Sequence, residues 1–199
     1  KLAQAFAAHL GHSIFEVPVT SESKVSQLVS RFDEVQRLMD AQAAIANAQM
    51  KQAGIDQHID TGNRRVDQLE DYVHLGPLAQ SFSTPGSILL LDEIDKAPRE
   101  LPNNLLFLLS ERRIVVPETQ QVIACEPGQM PTIVITSNHE QDLPAPFIRR
   151  CIYMYIEFPS PERMREIVRM HHPGAGETMV QAAIEIFYQL RELDLTRKP

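Results

Sequence analysis

The stretch Ser87–Pro98, SILLLDEIDKAP, constrains the fold more than any other part of the chain. Ile88, Leu89, Leu90 and Leu91 form a continuous apolar run with no polar alternation. A run of that kind needs apolar neighbours on both faces, the condition of an inner strand in a parallel sheet. It leads straight into Asp92 and Glu93. Two carboxylates there have two readings: a helix-capping Asp followed by a solvated Glu, or a pair that handles a metal ion and a water. A second buried run, TIVITSN, ends in Ser137 and Asn138, and CIYMYIEF (Cys151–Phe158) reads as a third strand. In open parallel sheets, ligands sit beyond the carboxyl ends of the strands. Polar ends on two strands therefore say more than either alone, since Asn138 by itself also fits a plain turn.

The segments between these runs are mostly helical. KLAQAFAAHLG carries Leu2, Ala5, Phe6 and Leu10 at helical spacing and stops at Gly11. SIFEVPVT reads as a strand, followed by a helix from Lys24 to Phe32. Composition then shifts. From Asp33 to Gly54 the chain is rich in Ala, Gln and Met, with Val35, Leu38, Met39 and Ala43 spaced as one face of a long amphipathic helix. The block Asp33–Asp71 reads as an insertion. YVHLGPLAQSF predicts a short helix entered at Gly76-Pro77, because proline suits a first turn. RELPNNLLFLLSE predicts a helix with Leu105, Leu106, Leu108 and Leu109 toward a core, and RRIVVPETQQVIACEP a hairpin around Pro117–Thr119. From Pro161 onward only helical patterns follow, in PERMREIVRMHH and TMVQAAIEIFYQLREL. The alternation predicts an α/β domain with a mainly parallel sheet over residues 1–160, carrying a helical insert at 33–71 and a hairpin at 112–126. A small all-helical subdomain over 161–199 completes the expected organisation.

A net charge of −7 argues against a protein that coats nucleic acid through its overall field, so nucleic acid is not the expected partner. Cys125 and Cys151 show no ligand spacing and are expected as buried small apolar residues in a reducing, cytoplasmic setting. No apolar run approaches the roughly 20 residues of a membrane span. The His171-His172 pair before Pro173 reads as a helix end, where cations are favoured, rather than a metal site.

SILLLDEIDKAP followed by LLFLLSER resembles the Walker B strand and succeeding helix of AAA+ ATPases, with wording similar to the MoxR branch. TIVITSN resembles the sensor 1 strand, DLPAPFIRRC the segment carrying the arginine finger, and YVHLGPLAQSF the stretch before Walker B. The resemblance runs from Phe15 to about Pro161. It implies a parallel-sheet nucleotide-binding core with a helical lid, working with ATP and Mg²⁺. It also implies a homo-oligomeric, hexameric ring that remodels a protein client, such as a VWA-domain protein. Asp92 would coordinate Mg²⁺ through water, Glu93 would activate the attacking water, and Asn138 would act as sensor 1. Arg150, with Arg149 as its rival, would reach the nucleotide of a neighbouring subunit, and Arg197 in LTRKP would serve as sensor 2. Asp95 and Lys96 are expected to cap and pair at the start of the next helix. The insert and hairpin resemble the branch's helix-2 and pre-sensor-1 insertions, which meet the client. Met39 and Met50 suit such adaptable contacts.

One part of the pattern is missing. No GxxxxGK[ST] occurs, and KLAQAFAAHLG resembles the helix that follows that loop, so the P-loop lysine is not Lys1. The 199 residues are therefore expected to be a piece of a longer protein, truncated at the N-terminus of the AAA+ core. Two rival readings stand beside the ring motor. One is a nucleotide-independent interaction module in which Asp92 and Glu93 only cap a helix. The other is a DNA-remodelling AAA+ protein, for which the insert offers Arg64-Arg65.

Overall fold

The computed structural model describes residues 1–138 and 140–192. It divides into two compact units, Lys1–Cys151 and the residues from Ile152 onward. The first unit runs α1 (Leu2–Leu10), β1 (Ile14–Pro18), α2 (Val25–Val29), β2 (Ser30–Phe32), α3 (Glu34–Gln52), β3 (Val73–Leu75) and α4 (Pro77–Ser83). It continues with β4 (Ile88–Asp92), α5 (Glu100–Glu111), β5 (Arg113–Val115), β6 (Val122–Ala124), β7 (Thr132–Ile135) and α6 (Ala145–Ile148).

Three strands form a parallel sheet in the order β1-β4-β7. In the middle strand Leu89 lies opposite Phe15 on one side and Ile133 on the other. Ile88, Leu89, Leu90 and Leu91 are 0%, 0%, 6% and 1% exposed, so both faces of β4 are covered. Each such side chain contributes about 2 kcal/mol on burial, and together the four match the order of a whole domain's net stability. The core around them takes Val17 from β1, Leu78 and Phe82 from α4, Leu101 and Leu105 from α5, and Ile114 from β5. This is an α/β fold whose most buried strand points its carboxyl end at Asp92 and Glu93.

Several local expectations change. The helix expected from Lys24 to Phe32 stops at Val29, because Ser30–Phe32 pairs antiparallel with Val73–Leu75 as a two-stranded ribbon. That partner lies across the whole intervening segment, beyond the reach of any local pattern. Beside the ribbon, the Gly76 N–H donates to Val29 O at 2.7 Å. A Cβ on Gly76 would sit 2.4 Å from Leu28 O, so this close approach requires glycine. In α1 the buried residues are Ala3 and Ala7, while Leu2, Phe6 and Leu10 of the expected apolar face are exposed.

Helix α3 packs through its polar side. Asp33 caps it by accepting from Gln36 N at 2.9 Å. Asp40 is buried, and its carboxylate accepts from Arg64 Nε at 2.8 Å, Gln36 Nε2 at 2.9 Å and Tyr72 Oη at 3.0 Å. The hydrogen bond from Arg64 is the main cause that holds this carboxyl down to about 2, against the opposing effect of burial. Val35, Leu38, Met39 and Ile45 face outward and are exposed.

CIYMYIEF does not form a strand. Residues 152–160 have no regular structure, and Ile152, Tyr153, Met154, Tyr155 and Ile156 are all exposed. A strand must satisfy its N–H and C=O groups through a neighbour, and no strand among the described residues pairs with this segment. In the second unit, α7 (Pro161–His171) and α8 (Glu177–Glu192) pack on each other. Arg169 pairs with Glu177 at 2.6 Å, and Phe158 stacks on Phe187 with ring centroids 5.7 Å apart. Cys125 is buried as expected and its thiol is pushed up by burial, whereas Cys151 is exposed just past α6. Among the described residues no helix is long and apolar enough to cross a membrane.

Candidate active site

Register brings the ends of β4 and β7 level, with Leu91 opposite Ile135. The next residue, Thr136, then ties the two strand ends together. Its N–H donates to Leu91 O at 3.0 Å and its carbonyl accepts from Ile94 N at 2.9 Å. The Thr136 hydroxyl donates to Asp92 Oδ1 at 2.5 Å and accepts from Glu93 N at 2.9 Å. Between those bonds Glu93 adopts φ 59 and ψ 49, a left-handed backbone that a non-glycine residue rarely takes. Hydrogen bonds from Glu93 N and Ile94 N to a single threonine hold the chain in that turn.

The Glu93 side chain is held at both oxygens. Oε1 accepts from Asn138 Nδ2 at 3.1 Å and Oε2 accepts from Lys96 Nζ at 2.6 Å. The same bond to Glu93 raises the lysine above its ordinary value. Asp95, on the short 3-10 turn Ile94–Lys96, is 1% exposed. Its oxygens accept from Asn138 N at 3.2 Å and Glu140 N at 3.0 Å. Burial opposes its ionisation, but the bonds from the Glu140 and Asn138 amides and the Ser137 hydroxyl outweigh it, leaving the carboxyl below its usual range.

Asp92, Glu93 and Asn138 thus stand together at one end of the sheet. Arg149 and Arg150 do not join them within this chain. Both are exposed at the end of α6, where Arg150 donates to Pro146 O at 3.1 Å. Arg197 lies outside the described residues. Asp95 and Lys96 were expected at the start of α5; the N-cap of that helix is Arg99, which makes no side-chain cap, and both residues reach back into the site instead. Thr136 escaped the sequence reading, although it is the first polar residue after the apolar run of β7 and so the one level with Asp92.

The donor set also indicates which cation the site could hold. No cluster of three or more His, Cys, Asp or Glu that could ligate a metal occurs among the described residues. Asp92 offers one carboxylate at an exposed strand end, with one oxygen engaged by Thr136. That suits an ion such as Mg²⁺, which keeps much of its water and takes other ligands from phosphates, and does not suit a protein-built cage. A recess of about 610 Å³ lies elsewhere, between the end of α3 and residues 54–58, and none of the site residues lines it.

A parallel sheet with helices, carrying acids at the end of its central strand and a polar loop beside them, makes an α/β domain, and its family match puts it in the AAA+ ATPase class. The chain belongs to the AAA domain (dynein-related subfamily), whose family model matches residues 1–151. Membership places the chain in an ATPase-type family. A crystal structure described as a "putative ATPase" from Cytophaga hutchinsonii ATCC 33406 shares the fold, with a TM-score of 0.51 and 12% identity. The match covers 91% of this chain and 44% of that one, so the chain spans less than half the length of its structural relative. No curated protein matches the sequence.

Proposed function

We propose that these residues form the metal-and-water side of an ATP-hydrolysing site in a MoxR-type ring motor that remodels a protein partner. The observation that carries the reading is the convergence of Asp92, Glu93 and Asn138, with Asn138 Nδ2 3.1 Å from Glu93 Oε1. Asp92 is the residue that would hold Mg²⁺ through water. A bound ion of this kind neutralises charge on the β- and γ-phosphates. Glu93 accepts a proton from the attacking water as its oxygen bonds to the γ-phosphorus and ADP leaves. Asn138, already within hydrogen-bond reach of Glu93, orients that water against the γ-phosphate. The exposed Arg150, or its neighbour Arg149, completes the site of the next subunit, where a guanidinium stabilises charge in the transition state. That role requires a homo-oligomer, and a hexameric ring in the cytoplasm is the proposed assembly. A VWA-domain protein is the proposed kind of client. The DNA-remodelling alternative loses ground because Arg64, one of the insert's two adjacent arginines, is committed to Asp40 at 2.8 Å.

Phosphate release by the full-length protein tests the reading. Glu93→Gln is expected to lower ATP turnover by about 100-fold or more while nucleotide still binds. Wild-type-like turnover in that variant would sink the assignment. Subunits carrying Arg150→Ala and Glu93→Gln, each inactive alone, are expected to regain partial turnover when mixed. If mixing restores nothing, and Arg149→Ala behaves the same way, the finger does not act between subunits.

A further inference from the structure

We infer that Asp95 is a positioning residue for hydrolysis, fixing the main chain at Asn138 and Glu140 and thereby setting where the Asn138 amide points. The inference rests on the reading of Glu93 and Asn138 as the water-handling pair. Its physical basis is the different partner of each acid on one short turn. Asp92 meets the Thr136 hydroxyl, Glu93 meets the Asn138 side chain, and Asp95 meets main-chain N–H groups of the loop itself. Past Thr136, whose N–H and carbonyl still bond Leu91 O and Ile94 N, no sheet ladder holds the described residues of that loop, and the next helix starts at Ala145. Two donors in one loop, Asn138 N and Glu140 N, converge on the two oxygens of a single carboxylate.

Burial makes this hold strong. Asp95 is 1% exposed, so with the loop in place water does not compete for its oxygens. A buried charge left without donors is costly, and the loop's two amides satisfy it together with the Ser137 hydroxyl and the N–H of Asp95 itself. Asn138 is consequently fixed at both ends, its main chain by Asp95 and its side chain by Glu93. Glu93 and Asp95 lie on the same turn, so any shift of that turn carries both supports together and preserves the geometry between them. A misplacement of about 1 Å at such a site can cost on the order of 100-fold in rate. Asp95 touches no reacting atom; its effect passes entirely through Asn138.

Asp95→Asn keeps the shape of the side chain but turns one acceptor into a donor aimed at a main-chain N–H. In the full-length protein the expected result is a fall in kcat of roughly 10-fold or more, with the Kd for a fluorescent ATP analogue changed by less than about 3-fold. On an Asn138→Ala background the same substitution is expected to lower kcat by less than about 2-fold, because the group being positioned is gone. Hydrogen exchange supplies a readout independent of turnover. The amides of Asn138 and Glu140 are expected to exchange about 10-fold faster in Asp95→Asn, while those of Leu89–Leu91 and Ile133–Ile135 keep their protection. Unchanged exchange at residues 138 and 140 overturns the clamp. Faster exchange with wild-type kcat, or a kcat loss that multiplies with that of Asn138→Ala, overturns the positioning role. If the wild-type protein hydrolyses no ATP, the ATPase reading and the positioning role that rests on it both fail. The exchange result then decides separately whether Asp95 clamps the loop.

Discussion

Among the described residues, two aspartates are almost completely withdrawn from water, and they are satisfied in opposite ways. Asp40 on α3 is held by side chains that come from three places: Gln36 on its own helix, Arg64 in the following loop and Tyr72 beyond it. Asp95 is held mainly by the main chain of a single loop, through Asn138 N and Glu140 N. Side-chain partners join pieces of the fold, but each retains its own rotamer freedom and can be exchanged. Main-chain partners fix the path of the backbone itself, which is what a site needs if the next side chain along must point correctly. The first aspartate fastens a long excursion of the chain, while the second shapes the loop that carries Asn138.

The largest expected effect comes from breaking the main-chain clamp outright. Asp95→Ala removes the acceptor of two N–H groups on the exposed residues Asn138 and Glu140, at about 0.5–1.5 kcal/mol each. Calorimetry is expected to show a melting temperature lower by roughly 3–10 °C. Breaking the side-chain counterpart stays local. Arg64→Ala is expected to raise protease cleavage within residues 53–68 by about 10-fold, while the melting of the sheet core moves by less than about 3 °C. A comparable fall in core melting would mean that Asp40 is coupled to the whole unit.

Acid sharpens the same contrast. The folded Asp40 carboxyl is depressed to about 2 from an ordinary value of 3.8. A depressed carboxyl contributes stability that is present above its unfolded value and is lost as pH falls toward the folded one. Pepsin cleavage of residues 53–68 is therefore expected to stay slow at pH 3.5 and to rise as pH approaches 2. In Arg64→Ala the onset is expected to move up toward pH 4. The smallest effect is expected at Lys96, whose contact with Glu93 is half open to water. Lys96→Met is expected to change the melting temperature by less than about 3 °C, because such exposed pairs add little.

Much of the sheet was legible because its signal is local. The unbroken apolar run of β4 declared burial on two faces, whereas the run read as a second buried strand is the outer strand β7, whose residues are half-buried or exposed; the polar ends of both placed Asp92, Glu93 and Asn138 at one end of the sheet. The address of Asp95 was not legible, since a carboxylate that accepts from main-chain amides leaves no mark in the partner residues' identities. Thr136 failed for a related reason: a hydroxyl gains its role from strand register, which one strand alone does not specify. Ser30–Phe32 and Ile152–Phe158 show the same limit from opposite directions. The first gained a partner strand that local propensity did not foresee, and the second, despite a β-rich composition, has none among the described residues.

The β2–β3 ribbon has a consequence for how this chain tolerates change in length. Phe32 lies opposite Val73, and the Asp33 N–H donates to Tyr72 O at 2.9 Å, so everything between departs and returns through one narrow neck. To the sheet, the excursion is a lariat whose contents are out of sight. The entropy of closing such a loop grows only slowly with its length. Segments of quite different size could be spliced in at this neck while the end of the sheet that carries Asp92 and Glu93 kept its geometry.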